Sequence, residues 1–286
     1  MLQRAFRFVL MPLAMAMALA GAVAAETTVA PPAATVESLR KALKIADTIS
    51  VLRDEGMAYG TSLEEELFPG RGGAAWGVAV DLIYDTPTME QRFETALGGE
   101  LGDDPATLAA AEAFFASERG QRILTLEVEA RRALLDEAVE DAARARAEDM
   151  VADSDPRMDA LRRFAEANDL IEANVQGALN ANLAFYQGMA EAGAFGNEMT
   201  EEQMLDDVWG QESDVRSETE DWLFPYLALA YGPLPDEDLQ AYIDFSLTPE
   251  GQKLNAALFV AFDAVFREIS RNLGRAAARQ MMGQDI

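Results

Sequence analysis

Residues 113–123 read AFFASERGQRI, and 131 positions later residues 244–254 read DFSLTPEGQKL. Phe114 aligns with Phe245, Gly120 with Gly251 and Gln121 with Gln252, while Ser117, Arg122 and Ile123 meet Thr248, Lys253 and Leu254. The match continues outward through Leu108 and Leu239, Ala133 and Ala264, Glu137 and Glu268, Arg144 and Arg275, and Met150 and Met281. Self-similarity at a fixed offset marks a chain assembled from related supersecondary units. In each unit a helix (105–116; 236–247) runs into a Ser or Thr whose hydroxyl can cap the next helix. Gly120 and Gly251 then fall in the first turn of that helix, where glycine costs helix propensity. The cost is tolerable where a neighbouring backbone must come close, so each unit reads as a tight helix-turn-helix corner with its Phe beneath. Exposed amides at a helix start, with Arg122 or Lys253 nearby, would also suit an anion. Capping satisfies the same amides without one.

The rest of the chain is punctuated in the same way. Thr35 caps a helix carrying Leu39, Leu43, Ala46, Ile49 and Leu52. Residues 69–73 (PGRGG) are a break, 74–84 a short apolar helix, and another helix starts at Thr88 and ends at Gly98-Gly99. Asp104-Pro105 and Asp155-Pro156 each place a cap before a proline in the first helical position. Ile171, Val175, Ala178, Leu179, Leu183 and Tyr186 form a helical stripe closed by Gly193. Thr200 and Gln203 have capping-box spacing, and Pro235-Asp236 and Thr248-Pro249 open the last two helices. Residues 78–84 alone also suit a strand, and no second run exists to pair with them. The expected fold class is all-α: a multi-helix domain of about ten helices, built from two related helix-turn-helix units. The first half (35–152) holds the weaker copy and the second (153–286) the clearer one. The long helix of the second copy offers a wide apolar face from Leu254 through Leu258, Phe262 and Val265 to Ile269. The first copy sets Glu127, Arg131 and Asp136 opposite Leu258, Phe262 and Arg267. Burying charge is costly, so the second copy is expected to pack centrally and the first to keep a more solvated helix.

The N-terminal residues read as an address. Arg4 and Arg7 precede an apolar stretch from Phe8 to Gly21, followed by small residues that allow cleavage after Ala24 or Ala25. This is the order of a signal peptide over residues 1–25. An uncleaved anchor is the rival, because Phe8 to Ala25 is near the lower length for spanning a bilayer. The alanine content, Pro12 and the small residues at the end favour cleavage, so the expected location is the periplasm, with no stable membrane insertion afterwards. Residues 26–34 (ETTVAPPAA) form a flexible lead-in, since paired prolines prevent a helix. Residues 1–25 hold two arginines and no acid, so their removal would take the net charge from −27 to −29. Such a charge repels phosphate backbones and disfavours nucleic acid as a partner. The chain has neither Cys nor His. Disulfides, thiolate sites, lipid-modified Cys, imidazole bases and His-ligated metals are thereby excluded, and stability must come from the apolar core.

The stretch Asp236-Glu237-Asp238-Leu239, Tyr242, Phe245 and Thr248-Pro249-Glu250-Gly251-Gln252-Lys253-Leu254 resembles the core pattern of a bacterial exported family catalogued as domain of unknown function 2059. That pattern has an acidic helix start, an aromatic pair and a Ser/Thr-Pro-x-Gly-x-Lys segment. The resemblance covers roughly residues 225–275 and, more loosely, 95–146. Where many members have a Phe-Tyr pair, this chain has Phe245-Ser246 in one copy and Phe114-Phe115 in the other, and Glu118 replaces the proline. The resemblance implies a helical protein of the cell envelope and implies no activity.

Candidate sites read mostly as structure. Asp149, Asp153, Asp155 and Asp159 cluster in sequence, but Pro156 interrupts them and no glycine takes the sharp-turn position of a calcium loop. Glu64-Glu65-Glu66 and Asp206-Asp207 read as solvated helix faces. Trp76, Trp209 and Trp222 suit core positions or a ligand groove. Met189, Met199 and Met204 suit gap filling or an adaptable surface. No nucleophile–base set, metal set or nucleotide loop is present, so no catalytic, metal or cofactor-binding residue is assigned and no cofactor is expected. The leading expectation is a non-enzymatic periplasmic protein acting through a surface for an envelope protein or peptide. One alternative is a carboxylate-dependent hydrolase or lyase on cell-envelope glycans, which needs only two acids in a cleft. Another is a binder of an apolar small molecule or lipid between the two units, which needs a dry cavity.

Overall fold

Polar side chains at eight boundaries, that of Thr35 among them, decide where helices begin. Asp85, Asp104, Ser117, Asp136, Asp155, Thr200 and Thr248 each accept a hydrogen bond from a first-turn amide, satisfying donors that have no partner within the helix. Thr35 and Thr200 form full capping boxes with Ser38 and Gln203. In the computed structural model, residues 34–196 and 199–283 are described. The signal-peptide segment and the lead-in up to residue 33 lie outside them. Among the described residues there are thirteen helices and no strand. They are α1 (Val36–Ala42), α2 (Ile45–Leu67), α3 (Gly73–Ile83), α4 (Thr86–Leu101), α5 (Pro105–Phe115), α6 (Glu118–Ala133) and α7 (Glu137–Ala152). There follow α8 (Pro156–Ala167), α9 (Leu170–Glu191), α10 (Glu201–Trp209), α11 (Glu212–Tyr231), α12 (Asp236–Ser246) and α13 (Pro249–Met281). The fold is all-α. No helix of the described residues is long and apolar enough to cross a membrane.

The two helix-turn-helix units are α5–α6 and α12–α13, and they share their local chemistry. Gly120 N–H donates to Ser117 Oγ at 3.1 Å, and Gly251 N–H to Thr248 Oγ1 at 2.9 Å. A Cβ on Gly120 would lie 2.3 Å from Phe114 O, and one on Gly251 2.1 Å from Phe245 O. Backbone approach is thus the reason for glycine at both corners. Gln121 Nε2 donates to Phe115 O and to Ala42 O, both at 2.7 Å. Gln252 Nε2 donates to Ser246 O at 2.5 Å and to Ala167 O at 2.6 Å.

Those far carbonyls, of Ala42 and Ala167, belong to helix ends, the first of which the sequence pattern did not separate from the helix that follows. The stripe from Leu39 to Leu52, expected as one helix, is split because Lys44 adopts a left-handed conformation (φ 52°). Asp169 (φ 50°) makes the same break between α8 and α9. α4 differs from its expected limits by starting at Thr86, behind the Asp85 cap, and by running through Gly98-Gly99 to Leu101.

Contacts between the units are reciprocal. Phe114 stacks on its counterpart Phe245, with centroids 5.5 Å apart. Arg122 of the first unit reaches Asp238 of the second at 2.9 Å, joined by Arg119 at 2.6 Å. Lys253 of the second reaches Asp104 of the first at 2.5 Å, and its hydrogen bond holds the Asp104 carboxyl well below the usual carboxylate range. One buried apolar cluster runs through both halves, from Leu39 to Ala278. A smaller one lies beneath α10, formed by Val175, Ala178, Leu179, Val208 and Val215.

α13 is a single helix of 33 residues and packs against α9, α4, α3, α5 and α12. Its counterpart breaks at Leu134–Asp136 into α6 and α7, both of which pack on α11. The expectation of a solvated first-copy helix is wrong for its two charges nearest the core. Glu127 and Arg131 are 4% and 6% exposed, because buried partners meet both. Asp136 is exposed.

The corner geometry sets a pair of opposite outcomes. Gly251→Ala should cost about 2–4 kcal/mol, since its methyl group meets backbone. Gly98→Ala, with nothing within 4 Å of the added carbon, should gain up to about 1 kcal/mol from helix propensity. Urea denaturation of the two variants checks both signs.

Candidate functional site

α6 turns Glu127 and Arg131, one helical turn apart, toward the interior. Three tyrosines face Glu127 from the second half: Tyr226 and Tyr231 of α11 and Tyr242 of α12. Tyr231 and Tyr242 both donate their hydroxyls to Glu127 Oε1, at 2.6 and 2.7 Å, and Tyr226 donates to the Glu127 backbone carbonyl at 3.3 Å. Arg131 is engaged elsewhere: its Nε and Nη2 grip both carboxylate oxygens of Glu55 on α2, at 2.6 and 2.9 Å. Phe164 of α8 packs on the rings of Tyr231 and Tyr242.

Burial is the first influence on Glu127, Arg131 and the three tyrosines. It pushes the Glu127 carboxyl from 4.5 up to about 7, against the two tyrosine hydroxyls that pull it down. Burial, and then the nearby Glu127 charge, raise Tyr226, Tyr231 and Tyr242 well above the ordinary tyrosine range. Burial acts to lower Arg131, but the Glu55 carboxylate outweighs it and the guanidinium is held charged. Beside the ion pair lies a cavity of about 40 Å³ whose polar lining is Glu55, Tyr59, Tyr84 and Ser270, a size for water rather than for an organic ligand.

A much larger concavity lies on the surface. α7 and the C-terminal turn of α11 enclose a groove of about 640 Å³. One wall is Ala138, Val139, Ala142 and Ala143, and the other is Ala228, Leu229, Gly232 and Pro233; Asp136 and Arg146 also line it. The side chains are short, so an incoming segment can approach the backbone of both helices. Neither Glu127 nor Glu55 lines this groove.

The residues weighed from the sequence lie apart from one another. Trp76 is buried, with its indole N–H donating to Gly60 O at 2.8 Å. Trp222 is half-buried and stacks on Tyr226, whereas Trp209 is 58% exposed. Met189 and Met204 are buried and Met199 is half-buried. Asp155 caps α8, Asp153 ends α7 and Asp159 pairs with Arg162. Arg122 and Lys253, the cations of the possible anion site, are both taken by carboxylates. Among the described residues no three acids converge as a metal site.

Neither the tyrosine fork nor the alanine-lined groove is among the sites weighed from the sequence. The exchange of Glu127 and Arg131 for Leu258 and Phe262 between the copies is the signal that could have found the fork, but it reads from the sequence as a solvated helix face. No protein-family model matches the chain, and no curated protein or solved structure matches it either.

The fork has a measurable consequence. Between about pH 4.5 and about pH 7 the unfolded chain ionises Glu127 while the folded chain keeps it protonated. The native state then binds more protons, and stability falls as pH rises through that window. A shift of this size corresponds to roughly 3 kcal/mol. Glu127→Gln should flatten that part of the profile in urea titrations from about pH 4 to about pH 8. Parallel profiles for the two proteins would show that Glu127 is not the group responsible.

Proposed function

We propose that this chain is a non-enzymatic periplasmic protein that holds a peptide or protein segment in the groove between α7 and α11. The observation that carries the reading is the groove itself: open, apolar, walled by short side chains and large enough for a ridge of side chains from a partner helix. Its occupant is an amphipathic helical segment with basic flanks. The walls accept its apolar ridge, while Glu137 and Asp141 stand exposed on α7 in a chain of net charge −27. Opposite charge around an apolar centre steers and orients such a partner. Glu127 and Glu55 are sealed in the core, which weighs against a carboxylate hydrolase, and a cavity of about 40 Å³ cannot take an acyl chain.

The address rests on residues 1–25, whose basic, apolar and small-residue order supports export and cleavage. The resemblance at residues 236–254 to an exported helical family agrees with it. Recurrence of the cap, the glycine and the glutamine clasp at both corners supports descent of the two halves from one duplicated unit.

A fluorescent Leu/Lys amphipathic peptide, followed by anisotropy, should bind the mature protein in the micromolar range. Ala142 is exposed in the groove wall, so Ala142→Trp should fill the groove and weaken binding at least ~10-fold. Ala145→Trp, on the same helix outside the groove, should not. Equal affinity for the Ala142 variant and the parent would remove the groove from consideration. Intact-mass analysis of protein recovered from the envelope should give Ala25 or Glu26 as the first residue; a retained Met1 would argue for an anchor.

A further inference from the structure

α3 carries apolar side chains on both its inner and its outer face. Trp76 and Val80 turn inward and are buried, while Ala74, Ala75, Gly77, Val78 and Leu82 are exposed on the opposite face. Val78 is 60% and Leu82 69% exposed. The one charge among the 11 residues of this helix is Asp81, which pairs with Arg53 of α2. Positions 74, 78 and 82 follow one another up a single stripe of the helix. A surface helix sets an apolar face against a charged one, and a helix that is apolar all round is normally covered all round. Gly77 sits beside the stripe. Glycine inside a helix costs propensity, and no atom comes within 4 Å of the place where its Cβ would lie, so no close approach within the chain accounts for it. The apolar surface continues past Leu82 into a hollow of about 150 Å³ whose walls include Ile83, Met89, Val265 and Ile269.

The stripe is complementary to itself. Its side chains grow along the helix, from Ala74 through Val78 to Leu82. Laid antiparallel about a two-fold axis at Val78, two copies set Val78 on Val78 and each Leu82 over the partner's Ala74. Laid parallel, they would set Leu82 on Leu82 and leave a gap between the alanines. The charges at the ends match in the same way. Arg71, in the turn before α3, is exposed, and no acid of the described residues pairs with it. As far beyond Val78 as Arg71 lies before it stands Asp85, the cap of α4. The same two-fold therefore brings Arg71 of each copy to Asp85 of the other. A basic or an acidic partner would satisfy one end of the stripe, and a second copy satisfies both.

We propose that two copies of this chain associate through α3, as an antiparallel helix pair about a two-fold axis at Val78. No residue lining the groove between α7 and α11 lies on this face, so the dimer and the groove stand or fall separately. A helix of 11 residues is about 16 Å long, and a contact of that length falls short of the ~800 Å² per partner of a stable interface. The dimer is accordingly weak and concentration-dependent, with a Kd of about 100 μM.

The chain has no cysteine, which makes cross-linking of the mature protein a direct test. Val78→Cys should give a disulfide-linked dimer on mild oxidation at about 200 μM protein, because the axis sets the two thiols face to face. Ala74→Cys and Leu82→Cys should each stay largely monomeric alone and cross-link when mixed. Leu247→Cys, at an exposed position outside α3, gives the background. Sedimentation velocity from about 10 to about 500 μM should show the parent passing from monomer to dimer. Val78→Glu sets two carboxylates against each other on the axis and should weaken association at least ~10-fold. Its melting temperature when dilute should match the parent's, because Val78 is already exposed in a single copy. A parent that stays monomeric across the range, or Val78→Cys cross-linked no more than Leu247→Cys, overturns the dimer. Maleimide labelling of Val78→Cys then tells what covers the face. Resistance would assign it to residues 26–33 of the same chain, ready labelling would leave it to a partner of another kind, and either result overturns the proposal. Ala74→Cys cross-linking as well alone as in the mixture overturns the antiparallel pairing.

Discussion

Gln121 and Gln252 each hold three helices at one point. A single carboxamide nitrogen donates to the end of the helix before its own, at Phe115 O or Ser246 O, and to the end of a more distant helix, at Ala42 O or Ala167 O. Both distant ends lie two residues before a left-handed break, at Lys44 and Asp169. A non-glycine residue in that conformation is strained by about 1–2 kcal/mol, and the last carbonyls of a helix need donors from outside it. The clasp supplies such a donor and fixes where the strain is spent. From each break a long helix departs, α2 or α9, and the buried core of each half is laid against it. The close approach of Gly120 and Gly251 to the preceding helix holds the glutamine in range.

On this shared frame the halves diverge in one place. α13 runs unbroken, while its counterpart stops at Leu134 and restarts at Glu137 with Asp136 as the cap. The break frees α7 to lie along α11, and the alanines on its face leave the groove between them. The same half carries the ionisable interior. Glu127 and Arg131 stand where the other unit has Leu258 and Phe262, and Tyr231, which meets Glu127, ends the helix that walls the groove, so the two departures from symmetry meet on one helix.

Features set by neighbouring residues were legible in the sequence. Asp104, Asp155, Thr200 and Thr248 work within three residues of themselves, and each is a cap as read. The corner glycines were legible too, because the recurrence exposed them and steric logic supplied the reason. The break at Lys44 was not, since neither Gly nor Pro marks it and its helix-end carbonyl is met by Gln121, 79 residues from Ala42. Glu127 was misjudged for a similar reason. The penalty of burying a carboxylate is a local estimate, while the hydroxyls that meet it come from 104 and 115 residues away. A groove walled by alanine leaves no trace in an apolar pattern, because alanine suits both a buried and an exposed helix face.

The charge balance of the chain bears on what can approach the groove. The chain has 23 basic side chains against 50 acidic ones, and several of the basic ones are engaged in ties within the fold. Arg131 binds Glu55 in the core, Arg119 and Arg122 close on Asp238, Lys253 on Asp104, and Arg157 donates to the carbonyls of Tyr231 and Leu234. The ties to Asp238 and Asp104 join the halves without disulfides, and the other two brace each half from within. The acidic excess itself is set by composition, and Glu137 and Glu237 are among the exposed acids that carry it. A partner that buries an apolar ridge in the groove must cross that field, and one carrying basic flanks is drawn in where an acidic or neutral one is not.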